Sequence, residues 1–380
     1  MTTRDAAATT LPQQVAMPTA RRRTVLAAAL GLIPAVAATT ALAAAMDTGA
    51  ARVEWDHFKA RFMRPDGRVV DNMNGNISHS EGQGFAMLLA VRLDDQDTFT
   101  RLLSWTRANL TRPSDSLLAW CHRPGEPGGR PGDRNNATDG DLFVAWALAE
   151  AADKWNQPAY RSLAAAIAGD VLRLMVVQVA GRAMLLPGIQ GFQDQTTVTT
   201  NPSYYVFPAF QALNRVAPSP LWASLTATGL RLARSARFGR WGLVPDWVAV
   251  SRSDTSRPVF AANRPARFSY DAVRVPLYMA WGGYGAEPLV GAAAQFWHDP
   301  SHRQMPAWVD LRTDETATYA ADPGIAHVAR LCAISSGRSQ LSRVTDAASR
   351  PDAYYAAALR LLARAAMADL PASQTQIASR

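Results

Sequence analysis

Three short stretches put acidic residues where chemistry could use them. Glu81 lies in S-H-S-E-G-Q-G (78–84), directly before the apolar run FAMLLAV. Ser80 can cap the helix that starts there. The helix dipole would favour an ionised Glu81, while burial against the apolar run would favour a neutral one. Gly82 and Gly84 leave space for a ligand to approach the backbone. Asp139 and Asp141 lie in N-N-A-T-D-G-D-L-F (135–143). Thr138 and Asp141 have capping-box spacing. Two residues apart, the aspartates cannot share a helix face, so one can serve the cap while the other points into a cleft. Asp271 and Arg274 lie in S-Y-D-A-V-R (269–274) and can pair across one helical turn. The arginine would keep the aspartate ionised.

Each stretch alone has an ordinary reading: a capping glutamate, two aspartates on a helix dipole, a structural ion pair. Together they suggest a reaction that needs one protonated and one ionised carboxyl group, and glycoside cleavage is such a reaction. Glu81 suits the acid and Asp271 the base. They are so far apart in sequence that only a closed fold could join them.

The positioning elements are mostly helical. Apolar residues at three- and four-residue spacing predict helices over 51–63, 82–93, 96–109, 141–154, 158–178, 203–215, 219–236, 271–282, 288–298 and 352–369. Loops fill 111–137 and 182–202. Segments 242–250 and 257–262 read as a β-hairpin inserted among the helices. No Ser/Pro/Gly linker divides the chain after its first 45 residues, which favours one all-helical domain over 46–380. Flat apolar faces for a ligand could come from Trp120, Tyr205, Trp241, Trp247, Trp281 and Tyr284. Trp120, in the loop before Thr138, is the best stacking candidate; Trp146 lies on an apolar helix stripe and belongs to the core.

The bulk composition narrows the classes. The chain has 380 residues, 48% hydrophobic and 18% charged, a globular balance. Its formal charge of +8 is scattered, and Arg4, Arg21, Arg22 and Arg23 of the N-terminal segment supply part of it. That argues against nucleic-acid binding. Residues 1–45 have a basic start, a short apolar stretch and a small-residue end, the layout of a signal peptide. Arg22-Arg23-x-Val25-Leu26 resembles a twin-arginine signal, and Ala41-Leu42-Ala43 is a plausible cleavage site. The expected mature form is exported and does not span a membrane. Cys121 and Cys332 make no disulfide scaffold, and free thiols are the expected state. No cofactor or metal motif is present, and the six histidines are dispersed.

SEGQGFAMLLAV (80–91), NATDGDLFVAWALAEAADKW (136–155), NPSYY (201–205), PDWV (245–248) and SYDAVRVPLY (269–278) occur in an order that resembles glycoside hydrolase family 8. Within it the chain is most similar to the periplasmic endo-β-1,4-glucanase group associated with bacterial cellulose synthesis. WDHFKARFMRPDGRVVD (55–71) fits the same group, and Ala86 departs from a commonly found glycine. The resemblance implies an (α/α)6 barrel and hydrolysis of internal β-1,4-glucosidic bonds with inversion. It assigns the general acid to Glu81, the general base to Asp271 and the sugar-holding aspartate to Asp139. It places Tyr204 near the attacking water and Arg274 beside the base. Tyr205, Trp120 and Asp141 are further candidate sugar contacts.

Inversion would require the carboxyl groups of Glu81 and Asp271 roughly 6.5–9.5 Å apart, leaving room for a water. The expected partner is a β-1,4-glucan, with the cellulose synthase export machinery as a further candidate. The alternatives are a chitosanase, xylanase or mixed-linkage glucanase of the same family, or a non-catalytic glycan-binding helper of the synthase.

Overall fold

Helices that are apolar around most of their circumference must be buried on all sides. That holds for the second helix of the chain and for the one that follows Ala137. The computed structural model describes residues 49–125, 132–341 and 352–370. These all fall in one compact unit, Asp47–Arg380. The signal-peptide reading of residues 1–45 lies outside the described residues.

Eleven α-helices occur among the described residues: α1 (49–62), α2 (Ser80–Arg92), α3 (Gln96–Leu110), α4 (Thr138–Lys154), α5 (Pro158–Asp170), α6 (Phe207–Val216), α7 (Pro220–Ser235), α8 (Arg274–Trp281), α9 (Pro288–Trp297), α10 (Pro323–Ser335) and α11 (Tyr354–Ala368). Helix α2 packs on α4, α4 on α6, α6 on α8, α8 on α10, α10 on α11, and α11 returns to α2. These six form the inner ring of an (α/α)6 barrel, with α1, α3, α5, α7 and α9 outside. Close approach within the ring depends on glycine. A Cβ on Gly84 would meet the Phe143 Cβ of α4 at 2.6 Å, and one on Gly82 would meet the Tyr354 hydroxyl of α11 at 2.6 Å. These glycines serve helix packing, not the ligand access expected of them. Gln83 ties α2 outward: it accepts from Val69 N at 2.7 Å and donates to Thr106 Oγ1 at 2.9 Å.

The strands are short. β1 (Ser78–His79) pairs antiparallel with β2 (Cys121–His122). β3 (Val176–Val179) pairs with β4 (Arg182–Leu185) across Ala180 and Gly181, both at positive φ. β5 (Thr197–Thr200), β6 (Val248–Ser251) and β7 (Val259–Phe260) form one three-stranded sheet. β8 (Arg267–Phe268) pairs with β9 (Val309–Asp310).

The expected hairpin is β6–β7, and β5, in a segment expected to be loop, adds a third strand. The helix expected over 158–178 ends at Asp170. A π-helical turn follows over Val171–Met175, and the β-branched residues of β3 then take extended backbone. Helix α10 was not expected, although Asp322 caps it by accepting from Ile325 N at 2.9 Å and Pro323 starts it. Cys121 and Cys332 are buried, and no disulfide joins them. No helix among the described residues is long and apolar enough to cross a membrane.

Candidate active site

The start of α2 carries Glu81, and the capping side chain there is not Ser80. His79 Nδ1 accepts from Gly82 N at 3.0 Å, while its Nε2 lies 3.5 Å from Asp71 Oδ2. Ser80 is buried and its backbone N–H donates to Trp120 O at 2.9 Å. The β1–β2 pairing thus sets the loop of Trp120 against the helix start that carries Glu81.

The first turn of α4 separates its two aspartates. Asp139 is buried and its Oδ1 accepts from Gly140 N at 2.8 Å. Its Oδ2 has no hydrogen-bond partner among the described residues. Asp141 points the other way. Its oxygens accept from Leu118 N and Asn136 Nδ2, both at 2.8 Å. Burial pushes this carboxyl up to about 7. Asp141 anchors the 111–137 loop and is not a sugar contact, which corrects the expectation. The capping box is absent too, since Thr138 Oγ1 donates to Leu186 O instead.

Arg274 joins the three stretches. It is 2% exposed and opens α8. Its Nη1 donates to Glu81 Oε1. Its Nη2 donates to Asp271 Oδ1 at 2.7 Å and to Ser203 Oγ at 3.1 Å, and lies 3.6 Å from Asp139 Oδ2. One guanidinium, charged at any working pH, therefore faces three carboxyl groups. Glu81 Oε1 and Asp271 Oδ1 thus bond different nitrogens of this group.

Asp271 borders an open pocket of about 400 Å³, lined also by Glu81, Arg274, His79, Tyr270 and Tyr355. Burial raises its carboxyl above the usual aspartate range and the charge of Glu81 adds to that, while Arg274 pulls it down. The net direction is upward, so Arg274 does not hold it as firmly ionised as its spacing suggested. Asp139 is raised further, by burial first and by Glu81 next, against Arg274.

Tyr204 and Tyr205 part company at a short 3-10 turn, Pro202–Tyr204, capped by Asn201, which accepts from Ser203 N at 3.0 Å. Tyr204 stays at the acidic cluster; burial, then Asp139 and Asp271, push its phenol up. Its ring is 6.2 Å from that of Trp247. Tyr205 turns into the core, 1% exposed, with its oxygen accepting from Leu185 N at 3.1 Å. It is unavailable to a ligand, a second correction. Trp120 is half-buried; its Nε1 donates to Asp133 Oδ2 at 2.7 Å and the Arg123 guanidinium lies 5.5 Å from its ring. Part of the loop beside it, residues 126–131, lies outside the described residues. Trp146 is in the core, and Trp281 joins it there at 4.9 Å.

One residue of the site escaped the sequence reading. Asp246, in PDWV, is buried against the turn that carries Asp271. Its Oδ1 accepts from Ser269 N at 3.0 Å and Ala272 N at 2.8 Å, and its Oδ2 accepts from Ser269 Oγ. Burial and the neighbouring Asp271 raise it to about 7. The motif PDWV was visible, but the backbone amides that its aspartate binds lie more than 20 positions on. Among the described residues no group of acidic, histidine and cysteine side chains could hold a metal ion.

Comparison with known proteins agrees with this arrangement. The profile of Glycosyl hydrolases family 8 matches residues 27–369. A probable endoglucanase of Novacetimonas hansenii is 41% identical over 320 residues, 83% of this chain and 90% of that one. An endoglucanase of Cellulomonas uda is 39% identical over 278 residues, 72% of this chain and 76% of that one. Among solved structures, the endo-β-1,4-glucanase CMCax from Acetobacter xylinum superposes with a TM-score of 0.78 at 39% identity, covering 85% of this chain and 99% of that one.

Proposed function

The chain belongs to glycosyl hydrolase family 8, and from that premise we propose an endo-acting β-1,4-glucanase with an inverting mechanism. The observation that carries this reading is the convergence of Glu81, Asp139 and Asp271 on Arg274. Glu81 protonates the leaving glycosidic oxygen. Asp271 takes a proton from a water that attacks the anomeric carbon from the opposite face. A carboxyl raised above the usual aspartate range is the stronger base for that step once ionised. The two carboxyls bond different nitrogens of one guanidinium, and inversion requires that they stand roughly 6.5–9.5 Å apart, with a water between base and sugar. Asp139, whose Oδ2 faces Arg274 at 3.6 Å without a hydrogen-bond partner, receives a hydroxyl of the sugar at the cleavage point. Contacts there that tighten in the transition state raise the rate. Tyr204 borders the water, and Asp246 fixes the turn of the base.

The test is hydrolysis of soluble carboxymethyl cellulose, followed by viscosity and reducing ends. A fast viscosity drop, lost in Glu81→Gln, is the expected result. No drop with the wild type, and activity only on chitosan or xylan, would move the substrate to another branch of the family.

The layout of residues 1–45 supports export to the periplasm through a twin-arginine route. With the resemblance to the group that accompanies cellulose synthesis, it supports a role in trimming nascent glucan beside the synthase export machinery. A strain whose only copy carries Asp271→Asn should then show altered cellulose yield or fibre form; normal cellulose would count against that role.

A further inference from the structure

Beyond the carboxylates, the open pocket ends on aromatic side chains that the proposed chemistry does not use. Tyr270 lines the pocket and is 42% exposed, and Tyr319 stands next to it, 50% exposed. Their hydroxyl oxygens are 3.1 Å apart. Trp308 Nε1 donates to the Tyr319 oxygen at 3.1 Å. The Arg267 guanidinium covers the Trp308 ring at 3.9 Å. The backbone sets this array: β8 and β9 pair just before Tyr270 and just after Trp308, and Ala317 N donates to Trp308 O at 3.0 Å.

Rings that half face water gain little from burial. Here two of them are instead joined through their polar tips, so their orientation is set before any ligand arrives. A flat apolar face with hydroxyls at its rim suits the C–H face and equatorial hydroxyls of a pyranose. Pre-ordering also reduces the entropy lost on binding. Tyr270 precedes Asp271 directly, so the array is continuous with the cleft.

We propose that Tyr319 and Trp308 form an outer sugar site, reached through Tyr270, that takes a unit of a β-linked glucan lying beyond those held at the carboxylates. It rests on the β-glucanase reading above. The site gives the enzyme a preference for long chains over short ones.

The test compares kcat/KM on cellohexaose and on cellotetraose for the wild type, Tyr319→Ala and Tyr319→Phe. The ratio of the two values should fall about fivefold in Tyr319→Ala. Tyr319→Phe, which keeps the ring, should retain most of the ratio. Tyr319→Leu, apolar without a flat face, gives the same reading if the alanine variant fails to fold. A ratio unchanged in these non-aromatic variants overturns the outer site and leaves the glucanase reading intact. A wild type that cuts neither oligosaccharide removes both.

Discussion

Asp246 lies behind Asp271 and binds the chain on both sides of it. The Ser269 and Ala272 amides, two before and one after Asp271, both donate to Asp246 Oδ1. The direction of the proposed base thus depends on a second, buried acid behind it.

Removing that acid should cost rate, not binding. Asp246→Ala leaves two buried amides without an acceptor, a loss of about 1–3 kcal/mol each. We expect kcat to fall at least tenfold with KM little changed. Asp246→Asn can still accept both amides and should keep most of kcat. Below about pH 7 Asp246 already holds a proton, so Asp246→Asn removes no charge beside Asp271 there. The acid limb of its pH–rate profile should therefore stay where it is in the wild type. A limb that moves with this substitution would contradict the neutral state of Asp246.

Arg274 should not tolerate replacement by lysine. A guanidinium bonds Glu81 through one nitrogen and Asp271 through the other; an ammonium is a single point. Arg274→Lys is expected to lose about 10²-fold in kcat/KM, on the scale of one lost charge-stabilising donor. Circular dichroism should show the barrel intact.

Much of the cluster was legible because its chemistry is local. Glu81, Asp139, Asp271 and Arg274 each sit in a short motif, and the helix-turn spacing of Asp271 and Arg274 correctly predicted their pair. What failed was the direction of neighbours. Asp141 has perfect capping spacing, yet its side chain serves Leu118, from a loop 23 positions back. Tyr204 and Tyr205 look alike in sequence, and a single 3-10 turn sends one to the acidic cluster and one to the core. In the fold, α2 and α4 were legible as apolar runs. Helix α10 was missed even though its Asp-Pro start signal was present, and β3 hid at the end of a helix-like pattern.

Stability should fall from mildly acidic to mildly alkaline pH. Burial raises Asp141 and Asp246 to about 7, so both bind a proton more tightly in the fold than in the unfolded chain. Their contribution is full below the ordinary aspartate value of about 3.9 and is lost as pH rises through about 7. Asp95 has the opposite sign: hydrogen bonds from Lys59 and Trp55 outweigh its burial and hold it at about 2, so its contribution is lost only as pH drops toward that value. Thermal unfolding should therefore give a higher Tm at pH 5 than at pH 8. Asp141→Asn should flatten that decline; an equally steep decline would show that Asp141 is not its source.

The cap of α2 should matter to the acid. His79→Ala removes the acceptor for Gly82 N and should cost about 1 kcal/mol of stability. It should also lower kcat, because the same helix turn carries Glu81. Asn is a strong capping residue, so His79→Asn should recover most of both in denaturant unfolding and in turnover.

The most direct test of the acid–base pair is the configuration of the first product. Proton NMR of β-1,4-glucan hydrolysis, read within minutes of adding wild-type enzyme, distinguishes the two anomers at the new reducing end. A water activated by Asp271 and a leaving oxygen protonated by Glu81 give the α-anomer first, with the β-anomer rising later by mutarotation. The β-anomer first would mean a covalent intermediate on a carboxylate, and the assignment of Asp271 as general base would be wrong.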